Sequence, residues 1–238
     1  IQVDQKPTVA FDNAGHIILC WERNLTTDIP PDTAIYVASY LQGFNIQYAI
    51  LDANNGTVQD TGMFGNGNDY DFSPRLSRGI EGGVLLVWES TSGNTIFGNV
   101  SDPASLISAR WNGTAWGTPA VVSSSLAGIH SWEAANRNSD TSLVALVLDT
   151  DGDLSTPGDW EVFASLWNGN VWSSPARLTN DGSVDWGVHC AYVGDGRSAL
   201  SWLKDSVVVG VLGDVMQQPT LWLGDSNNVG LEFKNGKL

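Results

Sequence analysis

The chain has 238 residues, with 26 acidic against 11 basic side chains and a formal charge of −15. That balance excludes nucleic acid and anionic membrane surfaces as partners, because phosphate binding needs clustered Lys and Arg, and it favours divalent cations. The 11 Trp residues, with abundant Gly, Asn, Asp, Ser and Thr, point to many turns and few helices.

No apolar run approaches the length of a membrane-spanning helix, so no membrane insertion is expected. Cys20 and Cys190 lie in apolar, strand-like runs and read as two buried free thiols, with a disulfide between them left open. The chain opens at Ile1 without an initiator Met or a leader. It therefore reads as one part of a longer multidomain protein.

Four units follow one another, at roughly 5–66, 67–128, 129–182 and 183–238, within a single domain. The first has strands at 7–11, 16–23, 45–52 and 57–64, with a long loop through Asp28 and Pro31. The second begins at Asp69 and has strands at 84–89, 106–111 and 116–123. The third runs from Ser131 through strands at 142–149, 161–167 and 172–178. The fourth begins at Asp185 and continues through 197–203, 206–212 and 220–223. The tail at 227–238 reads as a further unit or a ring-closing strand. Second strands share a cue: Leu19-Cys20-Trp21, Leu86-Val87-Trp88 and Leu200-Ser201-Trp202.

Turns punctuate the units in the same way. Trp111-Asn112-Gly113-Thr114-Ala115-Trp116 returns as Trp167-Asn168-Gly169-Asn170-Val171-Trp172, and Asn55-Gly56 is a weaker copy. Asn-Gly supplies the two positive-φ residues of a type I′ hairpin, so a type I′ turn is expected at each. The same Asn55 and Asn112 open glycosylation sequons, as do Asn24 and Asn99, and the turns already account for the first two. Repeated four-strand units with almost no helix signal define an all-β fold, a β-propeller of four-stranded antiparallel blades with about four blades visible.

Two segments carry a family resemblance. They are Asp149-Thr150-Asp151-Gly152-Asp153 continuing through Trp160-Glu161 to Trp172-Ser173-Ser174-Pro175, and Asp69-Tyr70-Asp71-Phe72-Ser73-Pro74. Both resemble the sialidase-like (BNR, Asp-box-type) β-propeller modules of large secreted bacterial proteins. The resemblance implies a propeller in a secreted or cell-surface setting. It lies in the blades and their Trp-Asn-Gly-x-x-Trp turns, not in the sialidase set of three arginines, a Tyr–Glu pair and an Asp.

Two constellations are candidate sites. Asp149, Asp151, Asp153, Asp159 and Glu161 place carboxylates at alternate positions around a Gly-containing loop, a pattern that wraps a hard cation in oxygen ligands, so Ca²⁺ is expected there. The competing explanation is a solvated acidic turn. Asp69, Tyr70, Asp71, Trp132, Glu133, Asp185 and Trp186 sit at the starts of innermost strands, where propeller loops converge on the channel. An aromatic ring beside a carboxylate suits sugar. Equally, such acids can serve the blade repeat itself. His16, His130 and His189 fall in three units without metal-ligand spacing.

These readings favour a non-catalytic extracellular module that binds glycans or surface proteins, with calcium as a structural clip. The alternative is a glycan-active enzyme, a hydrolase or lyase with two carboxylates facing each other at the channel mouth. A purely structural repeat is the third reading.

Overall fold

A computed structural model of the chain describes residues 3–26, 34–153, 155–193, 196–213 and 221–224. It is built from four antiparallel sheets of four strands, each wound in simple chain order. The first holds β1 (Val3–Phe11), β2 (His16–Asn24), β3 (Phe44–Asp52) and β4 (Val58–Phe64). The second holds β5 (Tyr70–Arg78), β6 (Val84–Thr91), β7 (Ala104–Trp111) and β8 (Ala120–Leu126). The third holds β9 (Ile129–Asn136), β10 (Ser142–Asp149), β11 (Trp160–Trp167) and β12 (Ala176–Arg177). The fourth holds β13 (Asp185–Tyr192), β14 (Ser198–Lys204), β15 (Val207–Gly213) and β16 (Leu221–Gly224). Successive sheets stack face to face, with the first strands β1, β5, β9 and β13 side by side along the arc. This is a propeller arrangement of blades. The tail at 227–238 lies outside the described residues.

Helix α1 (Ala34–Leu41) occupies part of the long loop read from the sequence. Its eight residues contain no Gly or Pro, and Gly43 turns the chain out of it by donating its N–H to Tyr40 O.

The cores lie between blades, and they explain the strand sequences. On β6, Val84, Leu86 and Trp88 face the first blade, where they meet Ile18, Cys20, Ile46 and Phe64. Leu85 and Val87 face the third blade, against Trp132, Val144 and Leu146. Strand β10 divides in the same way, with Leu143, Ala145 and Val147 packed on Leu200, Trp202 and Val209 of the fourth blade. A strand covered on both faces needs an unbroken apolar run, which is what 84–88 and 143–148 carry. Strands β2 and β14 are covered on one face, and they bury only alternate residues.

Three first strands bulge at the same place. The register slips between Gln5 and Thr8, between Phe72 and Arg75, and between Trp186 and His189. Lys6, Ser73 and Gly187 take positive φ at these bulges (47°, 53° and 64°). The following Pro7 and Pro74 fit, since a bulge releases the chain from one ladder hydrogen bond.

The repeated Asn-Gly turns are not type I′. Gly113 and Gly169 have φ of 98° and 92°, whereas Asn112 and Asn168 stay outside the left-handed region. Each Asn contributes its side chain instead. Asn112 Oδ1 accepts from the backbone N–H of Thr114 and Ala115, and Asn168 Oδ1 from Asn170 and Val171. The flanking Trp pairs, Trp111 with Trp116 and Trp167 with Trp172, close each loop by a single bridge. All four sequons use this chemistry. The Ser or Thr two residues on donates its backbone N–H and hydroxyl to Oδ1 of Asn24, Asn55, Asn99 and Asn112.

Candidate functional site

A recurrent carboxylate–indole pair organises the blades. Asp4 accepts from Trp21 Nε1 at 3.1 Å, Asp71 from Trp88 at 3.0 Å and Asp185 from Trp202 at 2.9 Å. The partners are 17 residues apart in every case. They join the start of a first strand to the end of a second strand. In the third blade Leu148 replaces the Trp, and Trp132 instead donates its indole N–H to Glu89 of the second blade at 2.7 Å.

Four of the seven rim residues therefore face inward, not onto an open channel mouth. Asp71 and Asp185 are buried and held by their indoles. Tyr70 is buried between Phe44 and Phe72, stacked on the latter with ring centroids 4.3 Å apart. Trp132 is buried in the seam between the second and third blades. Asp69 is half-buried and accepts from Asn66 Nδ2. Glu133, like Asp69, is half-buried, and Trp186 is 49% exposed with its indole N–H directed at Asp205 O.

Glu133 lies between Arg75 and His189. Its Oε2 is 3.0 Å from Arg75 Nη1 and 3.7 Å from His189 Nδ1. Its Oε1 accepts from the backbone N–H of Ala134. The three side chains come from β5, β9 and β13, one from each of three adjacent first strands. Arg75 is fixed from behind, because it donates to Trp132 O and its guanidinium lies over the Trp132 ring at 4.6 Å. Solvent reaches the cluster: side-chain exposure is 43% for Arg75, 27% for Glu133 and 74% for His189.

Arg75 was not singled out from the sequence, and His189 was weighed there only as a metal ligand. A signal for them exists in the register. Thr8, Arg75 and His189 pair with Cys20, Val87 and Ser201, the residues just before Trp21, Trp88 and Trp202. They therefore occupy one slot of the repeat, immediately after the bulge. Seeing this needs the strand pairing, since the bulge shifts side-chain alternation by one residue.

Two buried carboxyls of the second blade are shifted. Burial raises Glu89 to about 7, against the opposing pull of the Trp132 bond and of the Arg75 and Lys6 charges. Burial likewise raises Asp71 to about 6, with hydrogen bonds from Ser90 and Trp88 opposing. A carboxyl whose folded pKa is raised binds its proton more tightly in the native state. Its contribution is most favourable below the unfolded value and is lost as pH rises through the folded one. Stability should therefore fall as pH rises from about 5 to 8, by about 3 kcal/mol for Glu89, and the melting temperature with it. Glu89→Gln keeps an acceptor for Trp132 and should flatten that fall. A melting series on both proteins checks it, and parallel slopes would assign the effect elsewhere.

The acidic loop divides. Asp149, Asp151 and Asp159 come together, with one ligand atom from each lying within 4.8 Å of the others. Asp153 and Glu161 do not join them. Asp153 Oδ1 accepts from the N–H and hydroxyl of Ser155, which holds its carboxyl below the usual range. Glu161 is buried, with Oε1 accepting from Arg177 Nη2 at 2.7 Å and from Asp181 N at 2.9 Å. In register it sits opposite Leu148, one residue into the sheet, while Asp159 stays in the connecting turn.

Cys20 and Cys190 are free thiols, as read from the sequence, but only Cys20 is buried and Cys190 is half-buried. No helix among the described residues is long and apolar enough to cross a membrane.

No protein-family model matches this sequence, and no curated protein is matched by it. Solved structures do match in fold. A Hadza microbial sialidase superposes with a TM-score of 0.58 at 12% identity, covering 94% of this chain and 46% of its own. An α-L-arabinanase of Penicillium chrysogenum, solved with arabinobiose, gives 0.56 at 10% identity, covering 92% and 66%. A family PL25 ulvan lyase, bound to a GlcA–Rha3S unit, gives 0.52 at 10% identity, covering 89% and 52%. The chain thus spans about half to two thirds of the length of these proteins. It has the fold of the sialidase-like β-propellers, on which glycan hydrolases and lyases are built.

Proposed function

We propose that this chain is a glycan-active enzyme working on an acidic sugar polymer, with Glu133, His189 and Arg75 as its reacting and charge-matching groups. The observation that carries this reading is their convergence: three adjacent first strands each bring one of these side chains to a single solvent-reached point. Glu133, held by Arg75, is placed to accept a proton, and His189 is a second proton carrier beside it. The guanidinium matches a sugar carboxylate or sulfate.

Those parts suit β-elimination. The base takes the proton from the carbon next to the sugar carboxylate, and the glycosidic C–O bond breaks. The acid returns a proton to the leaving oxygen, and a C=C bond remains in the sugar. Hydrolysis by paired carboxylates has less support, since Asp71 and Asp185 are committed to indoles within their own blades. That the fold neighbours include a sialidase, an arabinanase and an ulvan lyase supports the glycan class, through the fold alone. Such polymers suit a secreted or cell-surface setting.

The second reading is a non-catalytic glycan- or protein-binding module. The exposed ring of Trp186, on the same strand as His189, favours it.

Incubation of the chain with neutral and acidic polysaccharides tests both. New reducing ends with ultraviolet absorbance from an unsaturated sugar acid are the expected result. Reducing ends alone would show hydrolysis, and binding without turnover would favour the module. Neither turnover nor binding would overturn both readings and leave a structural repeat.

A further inference from the structure

The sequence offers five acids around the loop between β10 and β11, and the structure selects three. Asp149 ends β10 and is buried, its backbone N–H donating to Gly128 O. Its Oδ1 accepts from the N–H groups of Asp151 and Gly152, and its Oδ2 is sealed from solvent with no hydrogen-bond partner. Asp159 repeats the pattern. Its Oδ2 accepts from the N–H groups of Thr150 and Asp151 and from the Thr150 hydroxyl, and its buried Oδ1 has no partner. Asp151, exposed at the loop surface, accepts through Oδ1 from Asp153 N and through Oδ2 from the Thr156 hydroxyl.

Two buried carboxylate oxygens left unpaired beside a third carboxylate are costly unless something positive meets them. The backbone N–H groups already hold the other two oxygens, so the unpaired ones are oriented before any ligand arrives. All donors are oxygen. We propose that Asp149, Asp151 and Asp159 bind one hard divalent cation, Ca²⁺, which pins this loop to the end of β10 where the second and third blades meet. Asp153 and Glu161 take no part. The site is separate from the Glu133 cluster, so this proposal stands or falls apart from the enzymatic one.

Terbium luminescence and melting of the chelator-washed chain test it. Trp160 directly follows Asp159, so Trp excitation should sensitise bound Tb³⁺, and Ca²⁺ should displace it. Ca²⁺ at a hundredfold excess over its dissociation constant should raise the melting temperature by about 5 °C or more. Asp151→Asn, at an exposed position that folding tolerates, should abolish both responses, and Asp153→Asn should keep both. A wild-type chain with neither response would overturn the proposal. So would an Asp151→Asn chain that responds normally, or an Asp153→Asn chain that fails as badly.

Discussion

Trp132→Ala should cost about 4 kcal/mol of stability, and it should unsettle the candidate site as well as the core. The ring is 2% exposed and fills the seam between the second and third blades, against Leu85, Val87 and Leu146. Its removal leaves a cavity that two sheets, each fixed on a further neighbour, cannot close. It also takes an indole donor from Glu89 and the platform from under Arg75. For a chain of this size that loss lowers the melting temperature by about 8–16 °C. Trp132→Phe separates the parts. It keeps most of the packing and loses the N–H, so about 1–2 kcal/mol is expected. Because the Trp132 bond holds Glu89 down, the Phe variant should also move the Glu89 titration upward. Urea unfolding of the three proteins at several pH values measures both effects. A Phe variant as damaged as the Ala variant would show that the hydrogen bond, not the packing, dominates.

Glu133→Gln should lower turnover of the acidic glycan by about 10²–10⁴-fold while leaving the fold intact. The substitution keeps the shape of the side chain and removes its ability to take a proton. Its ion pairs are partly exposed, so the stability change should stay within about 1 kcal/mol. His189→Gln should reduce turnover, because it removes the second proton carrier beside Glu133. Arg75→Ala should act chiefly on KM for charged sugars, through the lost guanidinium. Asp71→Asn is the informative control. Asp71 is buried on Trp88, so turnover should survive its replacement. Kinetics on the four variants decide the matter. Full activity in Glu133→Gln would remove the cluster from the mechanism, and loss of activity in a folded Asp71→Asn chain would return the site to the strand starts.

The blade architecture was legible because its causes are local. Alternation, turn residues and the recurring Leu-x-Trp mark where strands lie, and continuous runs such as Val84 to Trp88 mark strands covered on both faces. Helix α1 was missed because eight residues after a loop give too short a window for a helical period. The acidic loop was found as a loop, since its carboxylates are close in sequence.

What composition and spacing did not distinguish was the fate of each carboxylate. Asp71, Glu133 and Asp185 look alike beside their aromatic neighbours. One lies beneath an indole 17 residues away and another beneath its own, while Glu133 meets an arginine 58 residues back. Bulges at Ser73 and Gly187 then set which side chain of β5 and β13 turns toward Glu133. Burial and pairing of a charge depend on the face of the neighbouring blade. That face is supplied by residues tens of positions away, so local sequence determined the blades, and only their stacking decided which acids stayed open to a ligand.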